Sequence, residues 1–511
     1  MSNRPEAGER SGLVEAETEG RQRSAVSNRA VTRGDVMPSV ETLSCQNPAG
    51  KQDSCESECR PPSSGRVTTA FAATVLVVMV IVAVIPLGID AARNIDFPVM
   101  VKPLTLGDGK SIAAITIFAG TYLVIAIGKL PGYRLDRAGA ALLGASLMAA
   151  IGVVSLDQAY RAIDFDTITL LLGMMIVVAN LRLSGFFRLV NNWVVTRARH
   201  PFVLLMAIVL VAGSFSAFLV NDTICLAVTP LVLDLATRLK RDPVPYLLAI
   251  PLASNVGSTA TITGNPQNMI IGGLSRIPYG TFAAALWPVA AVGLILTVLL
   301  IALIYRGEFL TRERFPAVAG SAPRYHRPLV IKSVLVTLAM VILFFAGQPV
   351  AKVAITGGAL LLLTRWLKAD KVYHEIDWPL LLMFAGLFIV VTGLETAVLT
   401  PELIARVGAL HLEAVPVLSA VTALLSNLVS NVPAVLVLKP FITSMSDPQH
   451  AWLVVAMAST LAGNFTLVGS AANLIVAQRA RSGGATIGFW AYFKVGAPLT
   501  ALTILFGVWW L

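Results

Sequence analysis

Long apolar runs recur along most of this chain, and they restrict its fold more than any other feature. From about residue 69 to the C-terminus, apolar stretches of about 20 residues follow one another with short polar connections. Each stretch is long enough to cross roughly 30 Å of hydrocarbon as a helix. Only 13% of the residues are charged, which is about half the proportion usual in soluble proteins. The sequence therefore predicts an all-α polytopic membrane protein and excludes a soluble enzyme.

The apolar runs differ in length, and the differences are informative. The predicted spans lie near residues 69–89, 111–128, 137–154, 166–182, 202–219, 224–237, 246–274, 282–305, 329–347, 349–367, 378–394, 414–429, 433–445, 451–477 and 487–510. Two pairs, beginning at residues 202 and 414, are short and are separated only by a polar tip. The spans beginning at 246 and 451 are interrupted by Gly and Asn, and the first also by Pro.

The second half of the chain repeats the first. Matching residues occur in the same order in both halves: Gly173 with Gly386, Asn221 with Asn431, and Ser254, Gly264 and Asn268 with Ser459, Gly469 and Asn473. The offsets are 213, 210 and 205 residues, so they drift only across the loops. A shared order of this kind indicates an internal repeat, which many transporter folds contain.

The distribution of Lys and Arg predicts how each half crosses the membrane. Basic residues are concentrated on one side when the first half starts outside and the second half starts inside, as the positive-inside rule requires. The repeats are therefore predicted to have inverted topology, and the two short pairs become re-entrant hairpins that enter from opposite faces. The predicted organisation is a disordered polar cytoplasmic tail (1–66), an extra transmembrane helix and loop (67–110), a first inverted repeat (111–305), a basic cytoplasmic linker (306–328) and a second inverted repeat (329–511).

Polar residues at the hairpin tips and in the two interrupted helices predict a shared central site. Non-helical backbone at membrane depth persists only where protein or water satisfies it. The hydroxyls and amides there offer donors and acceptors without charge, and freed N–H groups can face an anion. The predicted substrate-binding residues are Asn221, Thr223, Ser254, Asn255, Gly257, Ser258, Thr259, Gly264, Asn265, Asn268, Ser430, Asn431, Ser459, Thr460, Gly463, Asn464, Gly469, Ser470 and Asn473.

Asp222 is the one acidic residue at a hairpin tip, and two roles are open to it. An acid near membrane depth is a candidate for proton or cation coupling. It could instead cap the returning half-helix, together with Asn221. Its counterpart in the second half is Val432, so the carboxylate belongs to one repeat alone.

The other charged residues near the spans have predicted roles outside the site. Asp164 and Asp377 precede matching spans, which favours a role at the helix start. Arg182 and Glu395 lie near matching span ends, where they are expected to extend toward the lipid headgroups. Lys439 is a weaker candidate for attracting an anion.

Several classes of function are excluded or disfavoured. The formal charge of +10 is explained by basic cytoplasmic loops, so no nucleic-acid partner is expected. The Cys55 and Cys59 pair lacks a second pair of ligands, and Cys225 lies in an apolar run, so no metal site is predicted. Phosphate-binding loops and hydrolase motifs are absent from the sequence. The chain is expected to be neither an enzyme nor a cofactor-binding protein, and energy must come from an ion gradient or from a partner.

Four motifs resemble the ion transporter superfamily. They are Asn221-Asp222-Thr223, the run 264–268, the tip Ser430-Asn431-Val432-Pro433, and the run 458–464 with its continuation at 469–476. Within the superfamily they are most similar to the arsenite-efflux permeases and the plant silicon-efflux transporters, which carry a citrate transporter-like domain. The resemblance implies a scaffold domain and a transport domain that holds both hairpins, an elevator-like mechanism, and often a homodimer.

The resemblance also implies a function in the bilayer. The expectation is a plasma (inner) membrane carrier, with its N-terminus in the cytoplasm, that moves a small inorganic anion or weak oxyacid by proton-coupled efflux. Sodium-coupled dicarboxylate members carry Ser-Asn-Thr at both tips, and this chain departs from that pattern at both. The alternatives are a sodium- or proton-coupled citrate or dicarboxylate transporter, the membrane subunit of an ATPase-driven anion pump, and a receptor that retained the fold.

Overall fold

Helices form nearly all of the regular structure. The computed structural model describes residues 109–127, 135–197, 199–311, 315, 325–364, 366–398 and 412–511, and within these ranges it contains no strand. Seven of the described helices are long and apolar enough to cross a membrane, so this is a multi-pass membrane protein. The predicted tail (1–66), the predicted first helix near 69–89 and most of the linker (306–328) lie outside the described residues.

The described part of the first half contains ten α-helices. They are α1 (Gly109–Ile127), α2 (Arg137–Ala150), α3 (Leu156–Ala162), α4 (Phe165–Ser184), α5 (Phe186–Arg197), α6 (Pro201–Phe218), α7 (Asn221–Arg238), α8 (Pro243–Ser258), α9 (Pro266–Ser275) and α10 (Tyr279–Ile304). A 3₁₀ turn, Ile262–Gly264, lies between α8 and α9. The short α11 (Arg306–Phe309) begins the linker.

The second half follows the same order. It contains α12 (Arg327–Phe345), α13 (Val350–Leu362), α14 (Ala369–Tyr373), α15 (Trp378–Val398), α16 (Val415–Val429), α17 (Asn431–Ile442), α18 (Pro448–Ala462), α19 (Ala471–Ser482) and α20 (Phe489–Trp510). Helices α12 to α15 correspond to α1 to α4, and α16 to α20 correspond to α6 to α10. The order of spans predicted from the apolar runs is therefore confirmed in the described residues.

Local sequence signals explain where several helices begin. Asp136 accepts a hydrogen bond from the backbone N–H of Gly139 at 2.9 Å, which starts α2. Ser155 and Gln158 form a capping box at the start of α3. The predicted helix-start role of Asp164 is confirmed, because its carboxylate accepts from two backbone N–H groups of α4. Asp377 likewise accepts from the N–H of Leu380 at 3.1 Å.

Helix α5 was not among the predicted spans. It begins directly after Gly185, whose φ of +87° ends α4 in the left-handed region. Its apolar side chains Phe187 and Val194 are buried, while Trp193 is exposed and has Arg197 over its ring. With only 12 residues, α5 is too short and too polar to be recognised as a membrane span, which is why hydropathy missed it.

Four helices, α2, α4, α13 and α15, cross-pack between the two halves. Helix α4 packs along α13, and α2 packs along α15. A Cβ on Gly173 would lie 2.5 Å from the carbonyl carbon of Ala354, and a Cβ on Gly386 would lie 2.7 Å from that of Ala141. In the repeat, Gly386 is the counterpart of Gly173 and Ala354 is the counterpart of Ala141, so each contact is the mirror of the other. Such reciprocity is the property of a twofold interface.

The close approach at these glycines predicts a loss of stability when either one gains a side chain. Gly173→Ala and Gly386→Ala should each lower the free energy of unfolding by about 1–3 kcal/mol, because backbone atoms cannot move aside for a Cβ. A thermal melt of the purified protein in detergent measures this. Gly120→Ala is the matched control, since a Cβ there meets nothing within 4 Å. Equal melting temperatures in all three variants would contradict the close packing.

The other helices build two hairpins and two interrupted segments. Hairpin one (α6 and α7) packs against the interrupted segment α8–α9, and hairpin two (α16 and α17) packs against the interrupted segment α18–α19. Helix α19 of the second half also packs along α7 of the first half. The hairpin of one half therefore meets the broken helix of the other, which brings the predicted site residues together.

Candidate functional site

One asparagine side chain bonds the backbone carbonyls that are left free at the break in the first interrupted helix. Asn268 donates from its Nδ2 to the backbone carbonyl oxygens of Ser258 at 3.1 Å and of Thr261 at 3.0 Å. These carbonyls are freed where α8 ends, and a buried carbonyl without a partner is costly. Pro266 is tolerated directly after the break because it stands in the first turn of α9, where its missing N–H is not needed. The side chain of Asn265 caps that turn by accepting from the N–H of Asn268 at 2.9 Å.

The second interrupted helix repeats this arrangement. Asn473 donates from its Nδ2 to the carbonyl oxygens of Gly463 at 2.8 Å and of Thr466 at 3.0 Å. Ser470 caps α19 by accepting from the N–H of Ala472 at 3.3 Å. Donor, acceptors and capping residue all follow their counterparts in the first break by one and the same offset. The same chemistry therefore stabilises both breaks.

Asn255 joins the two breaks and one hairpin tip. Its Nδ2 donates to the Oδ1 of Asn464 at 2.9 Å and to that of Asn473 at 3.1 Å. Its Oδ1 accepts from the Nδ2 of Asn221 at 3.0 Å and from the hydroxyl of Ser470 at 3.3 Å. The side-chain amide of Asn255 therefore makes two bonds as donor and two as acceptor. These bonds connect the first interrupted helix to the second break and to the first hairpin tip.

Thr460 plays the reciprocal part. Its hydroxyl accepts from the Nδ2 of Asn265 at 3.2 Å and from the Nε2 of Gln267 at 3.3 Å. The same hydroxyl donates to the Oδ1 of Asn268 at 3.4 Å. Thr460 is the counterpart of Asn255 in the repeat. The side chain at this position in each half therefore forms hydrogen bonds with the break of the other half. This reciprocity again indicates a local twofold relation.

The remaining predicted residues of the first break support its backbone. The hydroxyls of Ser258 and Thr259 donate to the carbonyl of Asn255 at 2.8 Å and 3.2 Å. A Cβ on Gly257 would lie 2.1 Å from the carbonyl oxygen of Gly213, and one on Gly264 would lie 2.2 Å from that of Ser258. The two predicted glycines therefore permit close backbone packing at the first break.

The second break also packs closely at its glycines, but some of its side chains are more exposed than those of the first break. A Cβ on Gly469 would lie 2.9 Å from the carbonyl oxygen of Gly463. Every residue from 251 to 271 is buried, whereas Phe465 and Val468 in the second break are 39% and 65% exposed. The two breaks therefore have the same pattern of hydrogen bonds but differ in how deeply they are buried.

The hairpin tips lack the capping hydrogen bonds that were predicted for them. Neither α7 nor α17 has a side-chain hydrogen bond at its N-cap, so capping of the returning half-helix by Asn221 and Asp222 is wrong. The Asp222 carboxylate lies instead against the backbone N–H of Ala472, at the start of α19. An anionic side chain is stabilised at a helix N-terminus. Thr223 is partly buried, with its backbone N–H bonded to the carbonyl of Val220.

Comparison with known proteins places the chain in a family. The sequence model described as "Citrate transporter", CitMHS, matches residues 122–462. The chain belongs to the citrate transporter family. This range contains both hairpins, the first interrupted segment α8–α9, and helix α18 of the second interrupted segment.

Relatives of this citrate transporter family member cover most of its length. It is 31% identical to a 46 kDa membrane protein of Mycobacterium leprae, over 77% of this chain and 96% of that protein. It is 28% identical to the silicon efflux transporter LSI3 of Oryza sativa subsp. japonica, over 78% and 97% of the two chains. The solved YdaH transporter of Alcanivorax borkumensis is 15% identical, with a TM-score of 0.50 over 78% of this chain and 97% of that one. That likeness shows a shared fold.

Two ion pairs correct the prediction for the charges near the span ends. Arg182 pairs with Glu375 rather than extending to the headgroups, and Glu395 pairs with Lys439 at 3.2 Å. These side chains are between 21% and 31% exposed. The physical reason is that removing a charge from water beside an apolar span costs less free energy when an opposite charge lies close enough to pair with it. Lys439 is therefore compensated, which weakens it as a centre that attracts anions.

The pair between Glu395 and Lys439 links α15 to hairpin two, and its coupling can be measured. Glu395→Gln and Lys439→Met should each destabilise the protein, and the double variant should lose less than the sum. We expect a coupling free energy of about 1 kcal/mol, since both side chains are partly solvated. Thermal melts of the four proteins give this double-mutant cycle. Additive losses would show that the pair contributes nothing.

Sequence reasoning missed several residues at the site. Gln267 was not predicted, although it donates to Thr460. Ser216 shares a hydrogen bond of 2.6 Å with Ser254. Asn427 lies beside the second break and donates to the carbonyl of Ala462 at 3.1 Å. The signal that could have identified Ser216 and Asn427 is their place shortly before each tip, about one helical turn from it.

The site contains no arrangement suited to a bound metal in the part of the chain described. No group of three or more His, Cys, Asp or Glu side chains converges there. Cys225 is free and buried, as its apolar surroundings predict. The chemistry available to a solute is therefore that of amides, hydroxyls, backbone groups at helix ends and one carboxylate.

Proposed function

We propose that this protein is a proton-coupled secondary transporter that exports a small inorganic oxyacid of the silicic or arsenous acid type. The observation that carries the proposal is the composition of the central network. Neither break contains a charged residue, and Asp222 is the only ionisable residue at the two tips. A neutral weak acid needs hydrogen-bond donors and acceptors rather than a fixed counter-charge.

The similarity to a silicon efflux transporter supports both the solute class and the direction. The relative from Oryza sativa aligns with 78% of this chain. Silicic acid is a small hydroxylated molecule that is uncharged near neutral pH. Its hydroxyls would find partners among asparagine amides and serine or threonine hydroxyls such as those around Asn255 and Thr460.

Asp222 supports proton coupling by its location. It contacts the N-terminus of α19, a position where an ionised carboxylate is stabilised by free N–H groups. Taking up a proton removes that stabilisation and alters the contact between hairpin one and the second break. In the proposed cycle, a proton entering the cell binds Asp222 in one orientation of the carrier and leaves it in the other, while the solute moves outward.

The packing of the helices supports a moving transport domain. The cross-packed helices α2, α4, α13 and α15 form the proposed scaffold, and both hairpins with both interrupted segments form the proposed transport domain. The proposed transport domain contacts the proposed scaffold through the Glu395–Lys439 pair. It also contacts α1, where the hydroxyl of Tyr122 donates to the carbonyl of Pro433 at 3.3 Å. An elevator-like motion would exchange such contacts as the domain slides.

A carboxylate carrier is the second candidate, because the matching family model is described as a citrate transporter. A citrate or dicarboxylate ion would have to be held by helix N-termini and amides alone. Lys439 in hairpin two is paired with Glu395. This arrangement favours the uncharged solute over the multiply charged one.

Ligand-induced stabilisation and flux distinguish the candidates. Purified protein should melt at a higher temperature with silicic or arsenous acid than with citrate, phosphate or sodium; a ligand at 100 times its Kd adds about 2.7 kcal/mol. Proteoliposomes should then move the stabilising solute when a pH gradient is imposed, without ATP. Stabilisation by citrate alone would replace the proposal with the second candidate. A flux that requires an added ATPase subunit would favour the pump.

A further inference from the structure

The two hairpins of the pseudo-twofold site are not chemically equivalent. Hairpin one is bonded to the interrupted helix of its own half at three points. Ser216 and Ser254 share a hydrogen bond of 2.6 Å, and Ser254 donates to the carbonyl of Asn221 at 3.1 Å. Asn221 donates to Asn255 at 3.0 Å. These bonds close hairpin one against the first break.

Hairpin two contains polar counterparts of the same residues, but the bonds are missing. Ser426 and Asn431 occupy the positions of Ser216 and Asn221, and the hydroxyl of Ser426 and the Oδ1 of Asn431 have no hydrogen-bond partner. Ser459, the counterpart of Ser254, donates back to the carbonyl of Ala456 within its own helix at 3.4 Å. Hairpin two therefore lies against the second break with the Ser426 hydroxyl and the Asn431 Oδ1 unused.

Unused hydroxyls continue along α16 toward its N-terminal end. Ser419, Thr422 and Ser426 are spaced by three and four residues, so they share one face of the helix. Each is at most 1% exposed and none of the three hydroxyls has a partner. The corresponding positions of the first two in α6 are Val209 and Ala212, at an offset of 210 residues. The twin helix shows that packing of this face does not require hydroxyls.

Asn427 extends the same set of free groups to the second break. Its Oδ1 is buried without a partner and lies 3.2 Å from the position of a Cβ on Gly469. The Nδ2 of Asn431 lies 3.1 Å from the position of a Cβ on Gly463. The free Oδ1 of Asn427 and the side-chain amide of Asn431 are thus placed at the edge of the break, next to its two glycines.

Buried polar groups in native proteins nearly always have partners, and a set without them marks a place where a solute or water supplies the bonds. We propose that Ser419, Thr422, Ser426 and Asn427, together called the α16 polar face, form with Asn431 the path and receiving site for a small, uncharged, hydroxyl-bearing solute. Hydroxyls both donate and accept, as the hydroxyls of such a solute do. Helix α16 contains no charged residue. The inference rests on the proposed function for the solute's identity, and it assigns one path into the site to hairpin two.

Cysteine accessibility tests the path without reference to the solute. In a background with Cys45, Cys55 and Cys59 replaced by Ser and the buried Cys225 retained, Thr422→Cys and Ser426→Cys should react with 2-aminoethyl methanethiosulfonate. Silicic acid should slow that reaction if it is the solute. Ala212→Cys on the twin helix is the matched control and should stay unreactive. If Thr422→Cys and Ser426→Cys are as inert as the control, the α16 polar face is dry and the proposal is wrong.

Thr422→Val separates a transport role from a packing role. Valine has nearly the same shape and removes the unpartnered hydroxyl, so the melting temperature should hold or rise. The apparent affinity for silicic or arsenous acid, measured by efflux from proteoliposomes, should fall about tenfold. This is the effect expected from the loss of one hydrogen bond. Ser216→Ala should instead lower the melting temperature, because Ser254 loses a partner. An unchanged efflux in Thr422→Val would overturn the proposal.

The two proposals fail in different ways. If the wild-type protein moves neither silicic nor arsenous acid but Thr422→Cys is labelled and Ala212→Cys is not, the proposed solute class is wrong and the α16 polar face remains supported. If the wild-type protein moves either acid and labelling is absent at both α16 positions, the proposed function stands and the α16 polar face does not.

Discussion

Asp222→Asn should reduce proton-driven flux to the level of protein-free liposomes while the protein stays folded. The amide keeps the size of the side chain at the start of α19, but it cannot bind or release a proton. Helix N-termini favour a carboxylate only modestly over a neutral group, so the loss of stability should be small. The measurement is solute flux in proteoliposomes under an imposed pH gradient, together with a thermal melt.

Asp234→Asn is the matched control for this experiment. Asp234 lies on the same helix, α7, and its side chain is 57% exposed in a pair with Arg238. Its replacement should leave the pH dependence of flux unchanged. If Asp222→Asn also retains normal flux at every pH, Asp222 has no role in coupling, and its contact with α19 is structural only.

Asn473→Ala should cause one of the two largest losses of stability among the site substitutions. It leaves the carbonyls of Gly463 and Thr466 without a donor and removes one acceptor from Asn255. Each buried polar group left unsatisfied costs about 1–3 kcal/mol, so a loss of about 3 kcal/mol or more is expected. Because the break would no longer keep its shape, substrate affinity should fall as well. Thermal melts and the concentration dependence of flux measure the two effects.

Asn268→Ala is the twin of this variant and should behave in the same way, since Asn268 holds the carbonyls of Ser258 and Thr261. Asn191→Ala on α5 is the control, because Asn191 lies on a helix outside the network. If flux keeps its apparent affinity in both Asn268→Ala and Asn473→Ala, the central site is not where the solute binds.

The position of the site could be predicted from local signals. Gly264 with Pro266 interrupts an apolar run that cannot remain helical, and the same interruption recurs around Gly469. A break at membrane depth requires polar partners, and the side chains of Asn268 and Asn473 stand at the spacing needed to supply them. The residues that hold each break open were therefore among those expected, although the bonds that they make were not.

The charged residues could not be placed from local signals. Glu395 and Lys439 are 44 residues apart, and Arg182 and Glu375 are 193 residues apart. Nothing in the sequence around Arg182 indicates a partner so distant, so the prediction that it extends to the headgroups was wrong. The contact of Asp222 with α19 is of the same kind, because a carboxylate can serve the N-terminus of any helix that reaches it.

The sequence by itself determined the helical membrane fold, the order of its spans and the two breaks, because each depends on the polarity and conformational limits of neighbouring residues. The tertiary structure alone decided which groups meet across the halves. Asn255 enters the second break, Thr460 enters the first, and the hydroxyls of α16 remain free while their counterparts on α6 are absent or bonded. The choice of partner between distant parts of the chain is set by how helices pack, and packing depends on the whole chain at once.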